Sequence, residues 1–226
     1  IHIIKPDIIH CHTSIPYIEQ LDFNSTQVFF TFHTAVDRAL AYSPKRFRDG
    51  LKRLVSNGGR IIALSKEMEQ DVLRNYPMAN VEVIPNGVNI NAIRAEIYEK
   101  KAFLRELGLP ENAFIVGHVG RFHPVKNHEK LIDIFAEIKR VQKDAYLLLV
   151  GSGDSNRTER LRQLVRENKL DKSVLFLGER ADATKVMSVF DVFLLPSIKE
   201  GFPLVLVEAQ AHGIRAIATD SVPDEV

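Results

Sequence analysis

Short apolar runs alternate along this chain with longer segments in which apolar residues recur every three or four positions. The short runs are nearly continuous, which is typical of strands buried on both faces of a parallel sheet. The pattern predicts strands at residues 7–12, 28–33, 60–65, 81–84, 113–119, 145–150, 173–177, 190–195 and 214–219.

The longer segments predict helices that cover this sheet. In segment 127–142, for example, apolar residues repeat at helical spacing and form a stripe that faces a core. Helices are predicted at residues 66–75, 91–107, 127–142, 156–169, 182–189 and 203–212. Strands that alternate with helices in this way predict an α/β fold built on parallel sheets.

The clearest break in the pattern is the sequence Gly-Leu-Pro-Glu-Asn at residues 108–112, between a charged helix and an apolar strand. A chain of 226 residues is long enough for two modest domains. We therefore place a boundary in the interval 85–110 and predict two domains, residues 1–108 and 109–226.

Composition narrows the class of protein. The hydrophobic fraction of 45% and the aromatic fraction of 8% are those of a soluble globular protein. A net charge of +1 gives no reason to expect a nucleic-acid partner. The single cysteine, Cys11, excludes an internal disulfide and fits a reducing compartment, so we expect a cytoplasmic location.

Two carboxylates frame the most informative segment, EGFPLVLVE, which runs from Glu200 to Glu208. It follows an apolar strand and enters a helix, in which Pro203 suits the first turn and Gly213 the end. The start of a helix offers unpaired N–H groups and a positive dipole for phosphate oxygens. Carboxylates on either side can accept hydrogen bonds from hydroxyl groups, a layout that suits a sugar–diphosphate–ribose molecule.

Two cations, Arg121 and Lys126, lie between the strand 113–119 and the helix 127–142, which is a suitable position for a phosphate cradle. No Asp-x-Asp pair that could hold a metal on the diphosphate occurs in the chain. The alternative is that both cations are ordinary surface residues of a βα loop.

The segment EGFPLVLVEAQAHG resembles the donor-binding signature of retaining GT-B glycosyltransferases of family 4. Further segments resemble other parts of that family, in the same order along the chain. They are PDIIHCH at 6–12, TFHT at 31–34, VIPNGV at 83–88, GRFHPVKN at 120–127 and LLVGSG at 148–153. Two glutamates at this spacing would by themselves be weak evidence for the family, whereas several motifs in the family's order are specific evidence.

The resemblance implies a GT-B fold with two Rossmann-like domains, an acceptor domain first and a nucleotide-sugar donor domain second. It implies transfer of a hexose, with retention, from a nucleotide-diphosphate sugar, expected to be a UDP-sugar. The acceptor would be a saccharide or a lipid-linked molecule, in polysaccharide or glycolipid synthesis. Members of the family are longer at both ends, so we expect this chain to be an internal segment that turns over poorly alone.

The resemblance also assigns roles to residues. Glu200, His33, Arg121 and Lys126 are the expected catalytic residues; His33 would approach the donor sugar, and the two cations would stabilise the departing diphosphate. Neither a metal nor another cofactor is expected. Arg121, Lys126, Gly151, Phe176, Leu177, Glu200, Gly201, Phe202, Leu204, Val205 and Glu208 are the expected donor contacts, with the base near Phe176 and Leu177.

Alternatives remain open at this stage. A nucleotide-sugar epimerase of the same architecture would need no acceptor, and a non-catalytic fragment would only bind nucleotide sugar. His10 and His12 share one strand face, but no further metal ligand accompanies them in the sequence. The basic segment 45–53 could touch an anionic membrane at its inner face, or be only a solvated helix face.

Overall fold

The computed structural model describes residues 6–12, 21, 23–34, 36–42 and 45–226, which form two compact units. The first contains the chain up to Asn86 together with residues 200–202 and 223–226, and the second contains residues 87–199 and 203–222. Each unit is a parallel sheet with covering helices, which confirms the predicted α/β architecture.

The sheet of the first unit has four parallel strands in the order β1-β2-β3-β4. They are β1 (Ile8–Cys11), β2 (Gln27–Thr31), β3 (Arg60–Ala63) and β4 (Asn80–Val83). Its helices are α1 (Val36–Tyr42), α2 (Lys45–Ser56) and α3 (Lys66–Asn75). The Ser65 hydroxyl caps α3 by accepting a hydrogen bond from the Met68 amide.

The apolar face of the basic helix α2 packs into the core of the first unit. Leu51 and Leu54 are fully buried in the core of the first unit, where Phe47 packs edge-on against Phe30. The amphipathic pattern of segment 45–53 is therefore explained by core packing, and only its charged side faces outward.

The sheet of the second unit has five parallel strands in the order β7-β6-β5-β8-β9. They are β5 (Phe114–Val119), β6 (Ala145–Val150), β7 (Val174–Gly178), β8 (Val192–Leu195) and β9 (Arg215–Ala218). Its helices are α4 (Ile90–Ala95), α5 (Lys100–Glu106), α6 (His128–Val141), α7 (Ser155–Glu167), α8 (Ala183–Met187) and α9 (Leu204–Ala211). All nine predicted strands are present, with ends within a few residues of the prediction.

The predicted single helix 91–107 is wrong, because the structure has two helices there. Glu99 interrupts the pattern, and its carboxylate accepts hydrogen bonds from the Lys101 and Ala102 amides at the start of α5. The same backbone bonds hold the pKa of Glu99 below its usual value. Because the Glu99 carboxylate caps the start of a new helix, the chain breaks into two helices although the apolar periodicity continues through residues 91–107.

Helices α4 and α5 are tied to the second unit. The Arg94 guanidinium donates to the Ala211 carbonyl at 3.0 Å, and the Lys100 ammonium contacts Asp191 at 2.6 Å. The described units divide between Asn86 and Gly87, inside the interval 85–110, whereas division after residue 108 would assign these helices to the first domain. No helix in the described part of the chain has the length and apolar character that a membrane crossing requires.

Candidate functional site

The second sheet reverses its strand order next to β5. The chain adds β6 and β7 on one side of β5, and β8 and β9 on the other. In open parallel sheets, ligands bind beyond the carboxyl ends of the strands at such a reversal. The loops after β5 and β8 meet there, since the Ile198 amide donates to the Val125 carbonyl at 2.8 Å.

The loops after β5 and β6 pack backbone against backbone where Gly120 meets Gly151. Gly151 has a φ of 133°, and a Cβ on it would lie 2.1 Å from the Gly120 carbonyl oxygen. The Gly120 amide donates to Val150, and the Phe122 amide donates to Ser152 at 2.7 Å. Gly151 therefore has a structural reason to be glycine, and its predicted donor contact stays a prediction.

Arg121 and Lys126 both lie in the loop after β5, as the sequence predicts. The Arg121 side chain is exposed and has no hydrogen-bond or ion-pair partner among the described residues. Lys126 is half-buried and ends a short 3-10 helix, Pro124–Lys126. Its side chain passes close to Gly120, where a Cβ would lie 3.8 Å from Lys126 Cδ.

Helix α6 starts directly after these cations. Asn127 precedes it in the left-handed conformation, with a φ of 53°, and its side chain makes no capping hydrogen bond. The first amides of α6 are therefore not capped by a side chain of Asn127. Two cations beside a helix N-terminus give a site that can hold phosphate oxygens.

Helix α9 follows β8 and carries Glu208. Pro203 precedes α9 and provides no side-chain cap, while Leu204 is exposed and Val205 half-buried in the first turn. Glu208 is half-buried, and burial raises the pKa of its carboxyl group. No hydrogen bond or ion pair to its side chain occurs in the part of the chain that is described. A half-buried carboxylate without a partner is destabilising by itself and suits a site that a ligand completes.

The predicted base-binding residues lie at an irregularity of the sheet. Leu149 pairs with Phe176 and Val150 pairs with Gly178, so Leu177 has no partner in this ladder. The Phe176 ring packs edge-on against Phe122 at 6.0 Å. The irregularity leaves the backbone of Leu177 outside the regular strand pairing, as a backbone contact to a base requires.

The remaining predicted residues, His33 and Glu200–Phe202, are grouped with the first unit. His33 Nε2 lies 2.9 Å from His12 Nδ1, and His10 Nε2 lies 2.7 Å from the Thr31 hydroxyl. Burial, and then the neighbouring His12, lower the pKa values of His10 and His33. The sequence reasoning missed that His33 contacts His12, because the two residues follow different strands.

These three histidines do not amount to a metal centre. No group of three or more His, Cys, Asp or Glu side chains in the described ranges is arranged to hold a metal ion. His10 is already hydrogen-bonded to Thr31, and His12 and His33 are bonded to each other. They form instead a row of imidazoles at the carboxyl ends of β1 and β2.

Two buried histidines of the second unit were also missed. His118 lies on β5 and His128 is the first residue of α6, and both are completely buried. Burial lowers the pKa of His118 to about 4 and that of His128 to about 3, so both are neutral at pH 7. A histidine inside an otherwise apolar strand was the available signal for His118.

Comparison with protein families finds a match along most of the chain. Residues 99–224 match the model of glycosyl transferases group 1, and residues 1–92 match the model of glycosyltransferase family 4. The first match covers more than half of the chain and contains all the predicted site residues except His33.

Individual proteins show the same similarity. A Bacillus subtilis protein that carries the name glycosyltransferase EpsF is 36% identical over 154 residues, 67% of this chain and 39% of that protein. The Escherichia coli UDP-Gal:alpha-D-GlcNAc-diphosphoundecaprenol alpha-1,3-galactosyltransferase is 31% identical over 166 residues, 71% of this chain and 42% of that protein. The crystal structure of Anabaena HepE in complex with UDP matches with a TM-score of 0.74 and 25% identity, over 88% of this chain and 55% of that one. The chain thus spans about half, or less, of the length of these proteins.

Proposed function

Because the chain belongs to the glycosyl transferases group 1 family, we propose that the protein transfers a hexose from a nucleotide-diphosphate sugar to a saccharide or lipid-linked acceptor. The donor would bind at the carboxyl ends of β5, β6 and β8. The reaction would retain the configuration of the sugar, and it would serve polysaccharide or glycolipid synthesis.

The position of two cations beside a helix N-terminus is the observation that carries this proposal. Arg121 and Lys126 stand beside the N-terminus of α6, at the reversal of strand order. Arginine can hold two phosphate oxygens in a fork, and lysine adds a point charge. A diphosphate can be neutralised by these groups without a metal, so we propose that donor binding needs no divalent cation.

A uridine nucleotide is the donor that the comparisons support best. HepE, the Anabaena relative, was crystallised with UDP, and the Escherichia coli relative is named for a UDP-galactose reaction. In our proposal the diphosphate lies against Arg121 and Lys126. Glu208 accepts hydrogen bonds from the ribose hydroxyls, and Glu200 accepts them from the hexose.

Retention would follow from reaction on one face of the sugar. No residue is assigned as a nucleophile, so in our proposal the leaving phosphate helps to remove the acceptor proton, and the protein supplies positioning and charge. His33 would assist at the donor sugar. The anomeric configuration of the product, read by NMR from the coupling constant of the new linkage, tests retention; an inverted product would refute it.

Nucleotide binding to single-residue variants tests the anion site. Arg121→Ala and Lys126→Ala should each weaken UDP binding by about tenfold or more in calorimetry, since a hydrogen bond to a charged group contributes about 1.5–3 kcal/mol. Arg140→Ala and Lys172→Ala remove the same charges at the last turn of α6 and just before β7, and both should bind UDP normally. Unchanged affinity in both site variants would refute the phosphate cradle.

We further propose that α2 contacts an anionic membrane, at the cytoplasmic face, by charge alone. Leu51 and Leu54 are buried in the core, so apolar insertion by this face is not available. The exposed cations are Lys45, Arg46, Lys52 and Arg53. A lipid-linked acceptor, of the kind in the Escherichia coli relative's name, would be presented at such a surface.

Vesicle sedimentation tests this contact. Lys45→Glu/Lys52→Glu should lose binding to phosphatidylglycerol vesicles, because each cation near an anionic surface contributes about 1 kcal/mol. Lys143→Glu/Lys172→Glu makes the same change of net charge in the second unit and should sediment like the parent protein. Equal binding by the two double variants, or binding to purely zwitterionic vesicles, would contradict the proposal.

A further inference from the structure

The pairing between β5 and β8 stops short of the ends of both strands. Their backbone register comprises Val116 with Val192 and Gly117 with Phe193, although β5 continues to Val119 and β8 to Leu195. The reversal of strand order lies between these two strands. Beyond these pairs, contacts other than the backbone ladder connect the two strands.

The side chain of His118 makes that connection. Its Nδ1 lies 2.8 Å from the Leu194 carbonyl oxygen, one residue beyond the last paired residue of each strand. A carbonyl oxygen can only accept, so Nδ1 carries the proton and donates it. The bond thus replaces a backbone hydrogen bond with one from an imidazole.

Two aromatic rings lie next to this imidazole. Its plane lies parallel to the Phe193 ring at 6.1 Å, and the His128 ring stands edge-on to it at 4.7 Å. Nε2 faces the loop that follows β5, because a Cβ on Gly120 would lie 3.1 Å from it. One ring therefore contacts β8 on one side and the start of the cation-bearing loop on the other.

We propose that His118 is a positioning residue of the donor site, which ties β8 to β5 where their backbone pairing ends and thereby sets the separation of the loops after these strands. The inference rests on the proposed function, in which the loop after β5 holds the donor diphosphate. His118 touches no substrate in this role; it acts through the loop that carries Arg121 and Lys126.

A second hydrogen bond reports this separation directly. The Ile198 amide, in the loop after β8, donates to the Val125 carbonyl in the loop after β5 at 2.8 Å. If the strands part at His118, this bond should open more often. Hydrogen exchange of the Ile198 amide therefore measures the effect in the protein without any ligand.

Three variants separate the hydrogen bond from the volume of the ring. His118→Phe keeps a ring but cannot donate to Leu194. His118→Asn loses the ring but places an amide N–H near the position of Nδ1. Leu161→Val is the control, because Leu161 is fully buried on α7 and its side chain makes no hydrogen bond.

Ile198 exchange should be about fivefold or more faster in His118→Phe, and close to the parent in His118→Asn and Leu161→Val. UDP affinity measured by calorimetry should follow the same order, whatever the thermal stability of each variant. Slow exchange in His118→Phe together with fast exchange in His118→Asn would show that the ring only fills the core, and would overturn the inference. If the parent protein does not bind UDP, the proposed donor function fails, while Ile198 exchange still decides the role of His118.

Discussion

Substitution of Glu208 should change the stability of the ligand-free protein and its affinity for UDP in opposite directions. Burial raises the pKa of its carboxyl group, so ionising Glu208 costs more free energy in the folded protein than in the unfolded chain. Glu208→Gln should therefore raise the melting temperature of the ligand-free protein slightly. The same change should weaken UDP binding several-fold in calorimetry, because an amide accepts weaker hydrogen bonds from ribose than a carboxylate does.

Glu106→Gln is a suitable control, since Glu106 is exposed on α5. It should alter neither melting temperature nor UDP affinity. If Glu208→Gln instead lowers the melting temperature and leaves the affinity intact, Glu208 is a structural residue, and the ribose contact must be assigned elsewhere.

His118 and His128 predict a loss of stability in mild acid. Their folded pKa values of about 4 and about 3 lie below the usual value of 6.5, so the unfolded chain binds more protons between these limits. Protonation of the unfolded chain therefore lowers the free energy of unfolding as the pH falls below about 6.5, down to about pH 4 for His118 and about pH 3 for His128. Each histidine contributes a slope that approaches about 1.4 kcal/mol per pH unit.

Urea unfolding at pH 7, 6 and 5 measures this slope. The double variant His118→Asn/His128→Phe should lose less stability than the parent between pH 7 and 5, even if it is less stable at pH 7. Equal slopes for the two proteins would show that the acid sensitivity arises from other groups.

At the scale of elements, the positions of apolar residues along the chain predict most strands and helices. The same pattern of apolar and polar residues does not reveal hydrogen bonds made by side chains. All nine strands follow from the apolar runs. The break between α4 and α5 does not, because it depends on one capping carboxylate, Glu99. Helix α1 escaped prediction, and the basic helix α2 suggested a membrane surface although its apolar residues serve the core.

Strand β5 tolerates no side chain at Gly117. A Cβ there would lie 2.0 Å from the Phe190 ring, which is buried beside β8. Gly117→Ala should lower the free energy of unfolding by about 1–3 kcal/mol through overpacking. Gly87→Ala is the control, because a Cβ at Gly87 meets no atom within 4 Å and its backbone needs no glycine.

Replacing the obstructing ring should reverse part of this loss. Gly117→Ala/Phe190→Leu should be less destabilised relative to Phe190→Leu than Gly117→Ala is relative to the parent, as measured by urea unfolding. Additive effects of the two substitutions would show that the clash with Phe190 is not the cause.

At the scale of the whole molecule, the sequence predicts those features of the site that depend on the order of strands, loops and helices along the chain. Arg121, Lys126 and Glu208 were placed correctly on loops and helices by their positions relative to strands and glycines. The pairing of His12 with His33 and the bridge from His118 to Leu194 were not predictable, because each joins residues far apart in sequence. Tertiary proximity of this kind becomes visible only when sheet order and register are known.

The division into two units predicts where a donor nucleotide should act. UDP at one hundred times its Kd should stabilise the unit that binds it by about 2.7 kcal/mol, which slows globally exchanging amides about a hundredfold. We expect hydrogen exchange to slow in peptides that cover residues 114–127, 145–154 and 204–211, and to change little in β1–β4. The protection should be the same in EDTA, since Arg121 and Lys126 provide the positive charge in our proposal. Protection confined to the first unit would contradict the donor site, and protection that appears only after Mn²⁺ or Mg²⁺ is added would contradict metal-free binding.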